Sequence, residues 1–157
     1  MTLARALHLR AVAMPPIRDA LELLTAQHEQ IEDLFEQVRQ IGDEAAFVEL
    51  ADKLGTHLAL EQELLYPAVR PRLAADVLEE VLAEHAALRK ALADLSWLGI
   101  RDEAFRVALG TLGELLFGHA AWQENELFTT AAETMSPGEL AALCERIQHF
   151  DAIAIAA

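Results

Sequence analysis

The chain has 157 residues, of which 54% are apolar, and 26 acidic against 12 basic side chains give it a formal net charge of −14. This length suits one domain with its own core, and a surface so acidic repels phosphate backbones, which argues against nucleic acid as a partner. Charges interrupt every apolar run before the ~18 residues that a membrane span requires, so no membrane association is expected.

The apolar residues are mainly Ala and Leu, with few Val, Ile and aromatics, which is the composition of helices rather than strands. Arg5 and Arg10 break the apolar character of the first sixteen residues, so this stretch is read as a short arm and not as an export signal. Cys144 is the single cysteine and excludes an intrachain disulfide. It is expected to be a small core residue, and a reducing, cytoplasmic location follows.

Pro15-Pro16 open the first helix, in which Leu21, Leu24, Ile31, Leu34, Phe35, Val38 and Ile41 recur in steps of three and four up to Gly42. Asp43 caps a second helix with Phe47, Leu50, Leu54, Leu58 and Leu65 as its spine, and Pro67 and Pro71 are expected to close it. A third helix is predicted from about Ala74 to Leu98, stopped by Gly99, and a fourth from near Asp102 to about Thr134. Gly110, Gly113 and Gly118 in the fourth predict a close helix approach or a bend. The run Ser136 to Glu139 carries a cap serine, a first-turn proline and a glutamate three residues on, which starts a short fifth helix reaching about Phe150. Long helices joined by short loops imply an all-α, up-down-up-down four-helix bundle over residues 17–135, with an arm at 1–16 and a short helix and tail at 136–157.

Four of the six histidines, His28, His57, His85 and His119, fall one on each long helix. One such residue alone is usually a hydrogen-bonded core or boundary group. Four at compatible depths are able to share one layer of a bundle, where facing helices assemble metal sites. The chain also repeats itself. "QHEQIEDLFEQV" is built like "EHAALRKALADL", each with a polar residue before its histidine, and "THLALEQELLYP" is built like "GHAAWQENELFT".

His57 and Glu61, four residues apart, project within about 40° of each other and form one ligand face for iron, manganese or zinc. The second copy carries Gln123 at the matching position, with Glu124 beside it. Gln123 has the better azimuth but is the poorer ligand. Glu124 is turned by about 140° yet has reach, and Glu126 returns to the His119 face a turn further on. Glu29, Glu32 and Glu63 are read as surface acids or partners of the ligands.

At these residues the chain resembles the hemerythrin-like (HHE cation-binding) family, over roughly Ala20 to Ala132. The resemblance implies a four-helix bundle holding two iron ions, or another divalent metal pair, with His28, His57, Glu61, His85 and His119 at ligand positions. Many bacterial members have glutamate where this chain has Gln123, whereas oxygen carriers use an acid at the position of Glu124. The carriers also have a second histidine where this chain has Arg89, a change that either opens one metal position or fills it.

The expected function is that of a di-iron protein that binds or senses dioxygen or a related small oxidant through His28, His57, Glu61, His85, His119 and Glu124. An enzyme acting on peroxide or nitric oxide, or repairing iron centres, is the alternative. A bundle with relict histidines serving as an interaction module is a further one. Phe35, Leu65, Trp122 and Phe128 are candidates to line the pocket.

Overall fold

The computed structural model describes Ile17 and residues 19–156, so the arm expected at 1–16 and the helix-opening role of Pro15-Pro16 lie outside the described residues. Helix α1 spans Ala20–Ile41. The Asp19 carboxylate caps it by accepting from the backbone N–H of Leu21 at 2.6 Å, and Gly42 ends it at φ 67°, donating its N–H to the Val38 carbonyl. Asp43 then caps α2, Glu44–Leu60, through the N–H of Ala45.

Beyond Leu60 the second rod does not stop at Pro67. It passes through a π turn, Glu61–Leu65, a short helix α3, Tyr66–Val69, and a 3₁₀ turn, Arg70–Arg72. Pro67 is accommodated because it directly follows the π turn, where the regular i to i+4 ladder is already interrupted. Helix α4 spans Ala75–Leu95 and ends at Ser96, three residues short of Gly99, because Ser96 turns its hydroxyl back onto the Ala93 carbonyl. The fourth rod comprises α5, Glu103–Trp122, a second π turn, Gln123–Leu127, and α6, Phe128–Thr134.

The fifth helix, α7, is not short. It spans Pro137–Ala156, 20 residues, and takes in the stretch expected to be a tail. Its start is the expected capping box, with the N–H of Glu139 donating to Ser136 Oγ and the N–H of Ser136 donating to Glu139 Oε2.

Helix α1 packs along α2 and α4 along α5, while α7 lies against α1 and α2. The apolar interior is divided in two. One cluster gathers Leu24, Leu60, Leu65, Val81, Leu127 and the buried face of α7. The other gathers Ile31, Phe35, Leu54, Leu58, Leu88, Leu112 and Leu116. Along each rod a histidine separates the two, so a polar layer crosses the middle of the bundle.

Of the three glycines in α5, only Gly113 marks a close approach. A Cβ there would stand 2.6 Å from the Phe35 ring, which is buried and set edge-on to Phe117, while Gly110 has open space around it. Gly113→Ala is therefore expected to lower stability by about 1 kcal/mol net, overpacking outweighing the gain in helix propensity. Gly110→Ala is expected to raise it by up to about 1 kcal/mol. Urea denaturation of the two variants checks the opposite signs.

Candidate metal centre

The polar layer is built around Glu61, whose side chain is 0% exposed. One carboxylate oxygen, Oε1, lies 3.1 Å from His57 Nε2 and 3.9 Å from His28 Nε2. The other, Oε2, lies 3.1 Å from His85 Nε2 and 3.4 Å from His119 Nε2. Two triads that share this one carboxylate, His28–His57–Glu61 and Glu61–His85–His119, each bring their ligand atoms within 4.8 Å of one another. The His28 and His57 rings meet edge to face at 4.9 Å and 73°, and the His85 and His119 rings at 4.9 Å and 72°. The internal sequence repeat thus becomes a pseudo-twofold arrangement with Glu61 near its axis.

The outer nitrogens of three rings face acceptors. His28 Nδ1 is 2.7 Å from Glu124 Oε1, His57 Nδ1 is 2.8 Å from Gln27 Oε1, and His119 Nδ1 is 3.1 Å from Glu84 Oε2. Acceptor oxygens assign the ring proton to Nδ1 and leave Nε2 a lone pair aimed at Glu61. Lone pairs facing a buried carboxylate at such distances repel unless positive charge stands between them.

His28 Nε2, His57 Nε2 and Glu61 Oε1 are buried without a hydrogen-bond partner, and the groups they belong to could hold a cation. The titration behaviour points the same way. Burial alone would lower His28 and His119, yet Glu61, together with Glu124 for the first and Glu84 for the second, holds both above the ordinary imidazole value. Burial alone would raise Glu61, yet His57, His119 and His28 hold it well below the ordinary carboxylate value. The centre demands positive charge, supplied by protons or by a cation.

Five of the six expected ligands, His28, His57, Glu61, His85 and His119, therefore converge. Glu124 does not join them: its half-exposed carboxylate sits on the outer nitrogen of His28, away from Glu61. Gln123 is the residue that turns inward, is 0% exposed, and donates from Nε2 to the Tyr66 hydroxyl at 2.8 Å. Glu126 faces solvent. Arg89 does not fill a position, since it is exposed and donates to Gln62 Oε1 on the surface.

Tyr66 was not legible. Its hydroxyl lies 2.7 Å from His85 Nε2 and 3.4 Å from Glu61 Oε2, and burial, reinforced by Glu61, pushes its ionisation far up. An α-helix would turn residue 66 about 140° away from residue 61. The π turn, in which the Tyr66 N–H donates to the Glu61 carbonyl, brings the two back over one another. The matching turn in the other half brings Phe128 over His28, with rings stacked at 5.9 Å and 3°. Of the other expected lining residues, Leu65 and Phe35 fall in the apolar clusters on opposite sides of the layer and Trp122 packs at the edge of the first.

The family model of the hemerythrin HHE cation binding domain matches residues 19–131. The chain belongs to this family. The fold is similar to the crystal structure of a hemerythrin HHE cation binding domain-containing protein from Mycobacterium kansasii, with a TM-score of 0.78 and 22% identity over 89% of this chain and 90% of that one. No curated protein matches the sequence. Among the described residues, no helix is long and apolar enough to cross a membrane.

Because Gln123 occupies the position that mirrors Glu61, restoring an acid there tests the charge balance of the layer. Gln123→Glu is expected to destabilise the metal-free protein by about 3–5 kcal/mol, the cost of an uncompensated buried charge. Added divalent metal is expected to recover most of that loss. Denaturation in chelator and in metal, compared with wild type, gives both numbers.

Proposed function

We propose that this hemerythrin-like chain is a non-haem di-iron protein that binds or senses dioxygen or a related small oxidant. The single observation that carries the reading is the division of the Glu61 carboxylate between two histidine pairs. His28 and His57 would hold one ion, His85 and His119 the other, and Glu61 would bridge them. Imidazole and carboxylate donors suit iron, manganese or zinc, and iron adds redox chemistry with oxygen, which zinc lacks. When bound, ferrous ions supply the electrons that such chemistry consumes.

The chain's own contribution is to hold the ligands before the metal arrives. Glu124, Gln27 and Glu84 fix three rings with Nε2 inward. Phe128 and the two apolar clusters keep water from the layer. Tyr66 places a hydroxyl proton beside His85, where a small polar ligand would receive it. That hydroxyl also favours a second reading, an enzyme at the same centre that turns over peroxide or nitric oxide. The buried free thiol of Cys144 is consistent with a reducing, cytoplasmic setting.

Anaerobic reconstitution with ferrous iron is expected to load about two irons per chain, as in other bundle dimetal sites. Exposure to dioxygen is then expected to change the near-ultraviolet spectrum once per centre, whereas an enzyme would consume its oxidant repeatedly. Glu61→Gln is expected to load less than about one iron and to lose the metal-dependent rise in melting temperature, which at 100 times Kd corresponds to about 2.7 kcal/mol. A wild-type chain that stays metal-free after reconstitution overturns the reading.

A further inference from the structure

Gln27 and Glu84 occupy matching places in the two halves, each immediately before a histidine and each touching the outer nitrogen of the next helix's histidine. The two are not chemically equal. A carboxylate such as Glu84 only accepts, so it fixes the ring proton on His119 Nδ1 by itself. A primary amide offers both an acceptor and a donor end, and by itself it fixes nothing. Turned one way Gln27 calls for Nδ1–H on His57; turned the other way it calls for a lone pair there.

The structure supplies what breaks this tie. Gln27 Nε2 donates to Asp151 Oδ2 at 2.7 Å, across a separation of 124 residues. An ionised carboxylate accepts only, so it holds the NH₂ end and presents Oε1 to His57. We infer that Asp151 is a positioning residue for the metal centre, which acts through Gln27 to keep the proton of His57 on Nδ1 and its Nε2 lone pair toward Glu61. This rests on the reading of His57 as a metal ligand. It makes α7, which lies wholly beyond the residues matched by the family, a working part of the site. The relay lies on the floor of a groove of about 720 Å³ between α1, α2 and α7. Asp151 and Gln27 are both half-buried there, so the relay borders solvent while its end reaches a buried ring.

The test uses the full chain in two arms. In the metal-free protein, long-range ¹⁵N–¹H correlation is expected to report the Nδ1–H tautomer for His57 in wild type. A mixture is expected in Asp151→Ala and also in Asp151→Asn, because a second amide offers both a donor and an acceptor to Gln27 and breaks no tie. In the zinc-loaded protein, release to a chelator is expected to be about 10-fold faster for Asp151→Ala, the lower end of what loss of an outer partner costs.

Ile147→Ala loosens the same helix without touching the relay and is expected to keep the wild-type tautomer. The proposal is overturned if Asp151→Ala keeps the wild-type tautomer, if its zinc release is not faster, or if Ile147→Ala disturbs His57 as much as Asp151→Ala does. A wild-type chain that takes up no zinc counts against the metal reading instead, and the tautomer comparison still decides whether Asp151 sets His57.

Discussion

The burial of one carboxylate organises the interior of this bundle. Taking an isolated carboxylate out of water costs several kcal/mol even after relaxation, and Glu61 has no exposed surface at all. Among the described residues, no lysine or arginine pairs with it. Its neighbours are four imidazoles, one from each long rod, and these carry positive charge only when protonated or when they share a cation. That one requirement explains why the apolar core is interrupted at mid-height, why each rod contributes a histidine at the same level, and why the lone-pair sides of the rings face inward.

The two halves share a frame and divide the chemistry. In the first half the inward position is the acid Glu61 and the residue beside it, Gln62, lies on the surface under Arg89. In the second half the inward position is the amide Gln123 and the acid beside it, Glu124, grips His28 from outside. Exchanging acid and amide therefore keeps a single negative charge at the centre and moves the other to the rim, where water pays most of its solvation. The aromatic that follows each π turn differs in the same sense, with Tyr66 beside His85 and Phe128 stacked on His28. One end of the layer carries a hydroxyl and the other end is apolar, although the histidine pairs at the two ends share nearly the same ring spacing and angle.

What the sequence made legible follows from what α-helical periodicity encodes. Steps of three and four located the rods, and the i, i+4 relation placed His57 and Glu61 on one face. The same rule gave Gln123 the better azimuth and Glu124 the worse, as the structure has them, and reach alone favoured Glu124 as a ligand. Tyr66 and Phe128 were not legible as partners of the histidines because a π turn changes the azimuth of everything after it, and no residue type announces such a turn. Glu84 and Gln27 were visible as the polar residues preceding two histidines. Their partners lie on other helices, however, so no local spacing ties Gln27 to His57 or Glu84 to His119. The length of α7 was not legible for a related reason: its last turns are Ala- and Ile-rich and carry no stop signal, and Ile153 and Ile155 stay exposed, so no buried periodicity marks them.

The outer partners of the histidines are of a different kind from the inner one. The Glu124 and Glu84 side chains are 38% and 48% exposed, against 0% for Glu61. A carboxylate at the rim keeps most of its hydration, so it orients a ring at little cost to folding, whereas a second carboxylate in the layer would need its own counter-charge. His85 stands apart, since its Nδ1 has no hydrogen-bond partner and its Nε2 is shared between Tyr66 and Glu61. Its ring is therefore held from the inside, by the tyrosine that the π turn delivers, whereas the other three are held from the outside. The four histidine rings thus differ in how firmly each tautomer is fixed, and the ring least fixed from outside is the one beside the only hydroxyl that touches the layer among the described residues.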